Sequence, residues 1–186
     1  QQEYVVSSQV SGAVEQVLVQ EHESLRAGQP LLRLNSPEFG QLQLAALEAA
    51  NKNRLAAKTL ERERQLLAEG IVPERRVLEA EAAASDSQAS LRQAQAALRL
   101  AGLDADAIGR LTQSGELQES LILRARTGGI VVDLQANPGQ RISAAEPLLR
   151  IADPSRLWLD VQLPADRANA WAKGGQVVVV GRRVTA

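Results

Sequence analysis

The 186 residues contain no cysteine and no methionine, and histidine occurs once, as His22. Thiolate catalysis, disulfides and sulfur-based metal cages are therefore excluded. Aromatic residues make up 2% of the chain, while Ala, Leu, Gln, Glu and Arg crowd its middle, a composition of long helices rather than of a compact enzyme core. Neither sign of charge dominates. The formal net charge of −1 leaves no basic field for nucleic acid and no acidic excess for sequestering cations. No apolar run approaches the roughly 20 residues that cross a bilayer, and the first residues lack a signal-peptide pattern. With no Met to start it, the chain is expected to be a processed or excised piece of a longer protein.

What is present is a repeat. Gln29–Pro37 reads QPLLRLNSP and Glu146–Pro154 reads EPLLRIADP, copies at an offset of 117 residues that extends without a gap. Gly12 falls on Gly129, Val14 on Val131, Leu25 on Ile142, Ala27 on Ala144, and Pro30-Leu31-Leu32-Arg33 on Pro147-Leu148-Leu149-Arg150. Each copy sets short β-branched runs between turn signals, Ala27-Gly28 in the first and Asn137-Pro138-Gly139 in the second. A unit of about 30 residues cannot fold alone. Two such halves burying their apolar faces against each other make one sandwich.

Between the copies the chain reads as a helical hairpin. Ser36 suits an N-cap, Pro37 the first helical position and Glu38 the positive helix end. Phe39, Leu42, Ala46, Ala49, Asn53, Ala56, Leu60, Glu63 and Leu67 then step by three and four residues. Gly70-Ile71-Val72-Pro73 turns the chain, with Pro73 starting a second helix on the register Val77, Ala80, Ala84, Ser87, Leu91, Ala94, Leu98 and Ala101, closed by Gly102. Two such seams predict an antiparallel coiled coil, with Asn53 and Glu63 as defects where the arm could break. The fold class is thus α+β, divided as 1–35 and 121–153 (sandwich halves), 36–102 (hairpin), 103–120 (a linker with a short helix from Asp104 to Ile108) and 154–186 (the start of a β-barrel). In that last part Leu157–Leu163 and Gln176–Val180 read as strands, Pro164–Ala172 as a short helix, and Trp158 and Trp171 as barrel core.

The order of these parts, carried by SGAVEQVLVQEHESLRAGQPLLRLNSPEFGQLQ and RARTGGIVVDLQANPGQRISAAEPLLRIADPSRLWLDVQLPADR, resembles the periplasmic adaptors (membrane fusion proteins, the HlyD-like family) of tripartite efflux pumps. SPE-x-x-Q ahead of the hairpin and IADPSRLW after it look most like the subgroup serving resistance-nodulation-division (RND) heavy-metal pumps. The resemblance implies a split lipoyl-like sandwich, or barrel-sandwich hybrid, and a non-enzymatic bridge without cofactors. Its partners would be an inner-membrane RND transporter and a TolC-type outer-membrane channel met by the hairpin tip. The location implied is the periplasm, at the inner membrane, in a ring of six, with heavy-metal cations as cargo. The same architecture serves ABC-type exporters, whose adaptors are the alternative.

Adaptors of RND pumps often carry Arg, Leu four residues on and Ser seven further, across the hairpin turn. That spacing falls here on Arg62, Leu66 and Pro73. The first two match; Pro73 lacks the hydroxyl. The other reading makes Arg62 a solvated face and Leu66 a seam residue. A lipoyl or biotinyl carrier, from a different functional class, needs a lysine where Asn35-Ser36-Pro37 stands, but the lysines are Lys52, Lys58 and Lys173. A bare coiled-coil scaffold leaves the β repeat without a purpose. Glu21, His22 and Glu23 are metal-capable neighbours, yet His22 aligns with the turn residue Gly139 and reads as a surface position, so no metal site is assigned. Arg54, Lys58 and Arg62 form a stripe mixed with acids, and Asp104 and Asp106 have no partner for catalysis.

Overall fold

A computed structural model describes residues 3–153; the strands, helix and tryptophans expected beyond Pro154, and Lys173, lie outside the described residues. The strands are β1 Glu3–Ser7, β2 Gly12–Val17, β3 Ser24–Leu25, β4 Pro30–Asn35, β5 Leu121–Arg124, β6 Gly129–Leu134, β7 Arg141–Ile142 and β8 Pro147–Ala152. At the offset of 117, β2, β3 and β4 superpose in sequence on β6, β7 and β8 residue for residue, and β1 on β5 but for one residue. They form two antiparallel sheets ordered β1-β8-β6-β3 and β5-β4-β2-β7. Each sheet thus takes two strands from each half. Neither half owns a complete sheet, so neither can close without the other.

The two-fold likeness extends to detail. Val14 faces Leu34 and Val131 faces Ile151, with a register shift immediately after in both, before Gln16 and before Asp133. Main-chain bonds cross between halves in matched pairs: His22 N–H donates to Val131 O and Gly139 N–H to Val14 O, each at 2.8 Å. The turns match although their residues differ. His22 (φ 66°) answers Gly139 (φ 82°), and Ala145 (φ 65°) answers Gly28 (φ 82°), so one turn geometry holds a glycine in one copy and a strained side chain in the other. The core pairs equivalent residues, Val14 with Val131, Leu31 with Leu148, Leu32 with Leu149 and Leu34 with Ile151, all buried.

Two helices fill the insertion, α1 Pro37–Ala68 and α2 Glu74–Ala101, of 32 and 28 residues. At 1.5 Å per residue they run about 48 and 42 Å. Every residue of the two registers read from the sequence is buried or half-buried, and none is exposed. Asn53 and Glu63 do not interrupt α1. Pro73 is the N-cap of α2 and not its first helical residue: its ψ of 151° is extended, and its carbonyl accepts from Arg76 N–H at 3.0 Å. A third helix, α3 Ala105–Ser114, is longer than the Asp104–Ile108 stretch expected, because Ala107, Ile108 and Leu111 bury a face in the core shared with Phe39, Leu98 and Ala101. Asp104 caps it, accepting from Ala107 N–H at 2.7 Å.

Candidate functional site

The hairpin has a fixed base and an exposed tip. At the base, Ser36 Oγ accepts from Phe39 N–H (3.1 Å) and donates to Ser11 O (2.6 Å), while Glu38 accepts from both the N–H and the hydroxyl of Ser11 at 3.0 Å. The cap that starts α1 therefore also ties it to the β1–β2 loop. The start of β2 approaches so closely that a Cβ on Gly12 would sit 2.5 Å from Asn35 O. The return is tied as well. Gln43, 2% exposed, donates to Gln118 O (2.9 Å) and accepts from Gln118 N–H (2.8 Å), pairing as a strand would. Arg54, expected in a basic stripe, donates to Thr112 O near the end of α3 at 3.2 Å, where the helix leaves its carbonyls unpaired.

At the tip, Ile71 N–H donates to Leu66 O and Gly70 N–H to Leu67 O, both at 2.9 Å, with Gly70 at φ 72°. This is the Schellman closure, and its left-handed residue suits a glycine. Val72 and Val77 are buried and shut the seam behind it, whereas Ile71 is 64% exposed. Of the three residues picked from sequence, Arg62 is exposed, Leu66 is half-buried and Pro73 is exposed. Arg62 and Leu66 stand one turn apart on one face of α1. The hydroxyl missing at Pro73 is missing also as a cap, since no side chain caps α2.

Sequence reasoning took Glu63 for a defect in the seam. It is 3% exposed, and its Oε1 lies 3.1 Å from Arg76 Nη2 on the other arm and 3.6 Å from Arg62 Nη2; its Oε2 has no hydrogen-bond partner among the described residues. Within two helical turns of the tip, a buried carboxylate thus gathers two guanidinium groups from two helices. Its signal was the pairing of an acid on one seam with an Arg at the start of the other arm. Arg64 and Glu81 add an exposed bridge between the arms at 2.8 Å. Lys52 pairs with Glu48 on α1 at 2.8 Å, which lowers the Glu48 carboxyl below its ordinary value by hydrogen bonding and charge. His22 is exposed in its turn, and among the described residues no group of three acids or histidines is placed to hold a metal ion.

A second feature missed by sequence joins the turns of the sandwich. Glu23 accepts from Gln20 N–H (2.9 Å) and from Gln29 Nε2 (3.0 Å), and Gln29 Oε1 accepts from Arg26 N–H (3.0 Å). In the other copy Gln140 accepts from Asn137 N–H (3.0 Å), Gln140 Nε2 donates to Glu146 Oε1 (3.5 Å), and Glu146 accepts from Ser143 N–H (2.8 Å). The positions are equivalent at the offset of 117, with acid and amide exchanged. Alignment of the two copies carried this signal.

Known proteins are similar to this chain in sequence or in fold. The nickel and cobalt resistance protein CnrB of Cupriavidus metallidurans is 29% identical over 202 residues, covering 98% of this chain and 51% of CnrB. The nickel-cobalt-cadmium resistance protein NccB of Alcaligenes xylosoxydans xylosoxydans is 24% identical over 178 residues, covering 96% of this chain and 42% of NccB. The chain therefore spans about half the length of these relatives. In fold it resembles the crystal structure of ZneB from Cupriavidus metallidurans, with a TM-score of 0.56 and 24% identity over 82% of this chain and 61% of that one. The family model described as CusB, barrel-sandwich hybrid domain, matches residues 4–152, from the first strand through the hairpin to the last; the chain belongs to that family.

Proposed function

We propose that the chain is part of a periplasmic adaptor that joins an inner-membrane RND transporter to a TolC-type outer-membrane channel, its hairpin tip docking on the channel. The carrying observation is the sandwich of exchanged strands (residues 3–35 and 121–153), which ties down both feet of a hairpin whose arms run about 48 and 42 Å. A seam buried or half-buried along its length leaves the outer faces, with exposed Arg62 and Pro73 and half-buried Leu66, for partners. The role is mechanical and needs neither a reaction nor a cofactor. CnrB and NccB are named for resistance to nickel, cobalt and cadmium, which supports divalent heavy-metal cations as the exported cargo. Copies placed side by side, six to a ring at the inner membrane, would enclose the path.

The test is in cells. A full-length protein whose residues 62–76 are replaced by a Gly/Ser linker should leave cells accumulating nickel or cobalt as cells lacking the protein do. Wild-type tolerance from that variant contradicts the proposal. An RND transporter gene beside the native gene separates this reading from an ABC-type partnership.

A further inference from the structure

Resting on the docking reading above, we infer that Arg76 is a second docking residue and that buried Glu63 is the positioning residue that sets Arg62 and Arg76 side by side across the two arms. Arg62 and Arg76 are 65% and 53% exposed, yet both reach one oxygen of a carboxylate that is itself buried. An isolated buried carboxylate is costly, so Glu63 holds its place by drawing cations to the surface above it. Long arginine side chains on a helical surface are otherwise free to wander; here both are tethered at one end. A guanidinium carries five N–H donors. Among the described residues Arg76 spends one Nη2 contact on Glu63 and Arg62 one longer contact, and neither side chain has another partner. Two planar forks, one from each helix, are left with their donors to offer.

The charge around them selects the acceptor. Residues 61–81 hold four arginines and six glutamates, so a carboxylate-rich surface meets net repulsion at this tip. Neutral acceptors do not. The last carbonyls of a helix lack intrahelical partners and carry partial negative charge, which suits a pair of guanidinium forks. The partner surface is therefore a set of helix C-terminal carbonyls on the channel, gripped from both arms at once. Gripping from both arms also makes docking depend on the register of α1 against α2, which a single arginine would not sense.

The experiment measures the Kd of the purified full-length protein for the purified outer-membrane channel encoded with its transporter, alongside thermal unfolding. Arg76→Ala should weaken binding about tenfold or more, with thermal unfolding reporting what the loss of Glu63's partner costs the arm; Arg76→Lys keeps a cation for Glu63 and should hold the unfolding temperature, yet still bind weakly because an ammonium has no fork. Glu63→Leu fills the seam with an apolar side chain; it should keep or raise the unfolding temperature and still weaken binding, a split that a purely structural role does not produce. Should Glu63→Leu unfold the arm, Arg76→Lys, which keeps the charge beside Glu63, decides alone. Wild-type binding by Arg76→Ala overturns the inference, and if Arg62→Ala weakens binding at the same time the docking reading stands without it. Wild-type binding by Arg62→Ala and Arg76→Ala together overturns both. Binding that collapses between 50 and 500 mM NaCl overturns the assignment to neutral carbonyls.

Discussion

Exchanging the acid and amide of one turn lock gives a quantitative test of the two-fold relation. In the first copy the acid is Glu23 and the amide Gln29; in the second the amide is Gln140 and the acid Glu146. Glu23→Gln leaves two amides that still pair but without charge assistance, a loss of about 1 kcal/mol. Gln29→Glu sets two carboxylates at the 3.0 Å separation now spanned by a hydrogen bond. It forfeits that bond and adds repulsion, about 2–3 kcal/mol together at half-buried positions. The double exchange Glu23→Gln/Gln29→Glu rebuilds the chemistry of the second copy and should fall within about 0.5 kcal/mol of the original. The cycle thus predicts a coupling of about 3–4 kcal/mol, far above what independent sites show. Equilibrium urea unfolding at neutral pH measures all four proteins. In acid the Gln29→Glu deficit should shrink, since protonating one carboxylate supplies the missing donor. A double variant as unstable as the sum of the singles refutes the equivalence of the two turns.

Other substitutions probe separate parts of the frame. Gly129→Ala places a Cβ 2.5 Å from Ile151 Cγ2 and 2.6 Å from Ala152 O, and urea unfolding should register a loss of about 1–3 kcal/mol. Gln43→Leu leaves Gln118 N–H and O without their partners, at about 2 kcal/mol or more, and should raise hydrogen exchange first in the segment between α3 and β5. Ala145→Gly relieves a left-handed alanine at the position where the other copy has Gly28, and should raise stability by about 0.5–1 kcal/mol on thermal unfolding.

Much of this was legible in sequence because two strong periodicities carry it. The seam of 3-4 steps located the buried face of both arms, since on a rigid helix spacing alone decides which side chains share a face. The offset of 117 located β2 with β6 and β4 with β8. Which strands pair was not legible: a strand pattern reports that one face is buried, not its neighbour, so the exchange that places β1 beside β8 and β5 beside β4 appears only in space. The strands β1 and β5 were missed although the repeat already laid Tyr4-Val5-Val6 over Leu121-Ile122-Leu123. At the tip, Arg62 and Leu66 followed from a motif, whereas Glu63 was misjudged because a charge in a seam reads as a flaw until its partner on the other helix is known. Arg76 is that partner.

The absence of cysteine makes the most direct test of the adaptor account simple, because any thiol introduced into the described part is unique there. Single cysteines at Ile71 on the tip, Leu55 along α1 and Val132 on the sandwich are all at exposed positions. Crosslinked in cells within the full-length protein, Ile71→Cys should join the outer-membrane channel while Leu55→Cys and Val132→Cys do not. Channel adducts from Val132→Cys with none from Ile71→Cys would contradict the account.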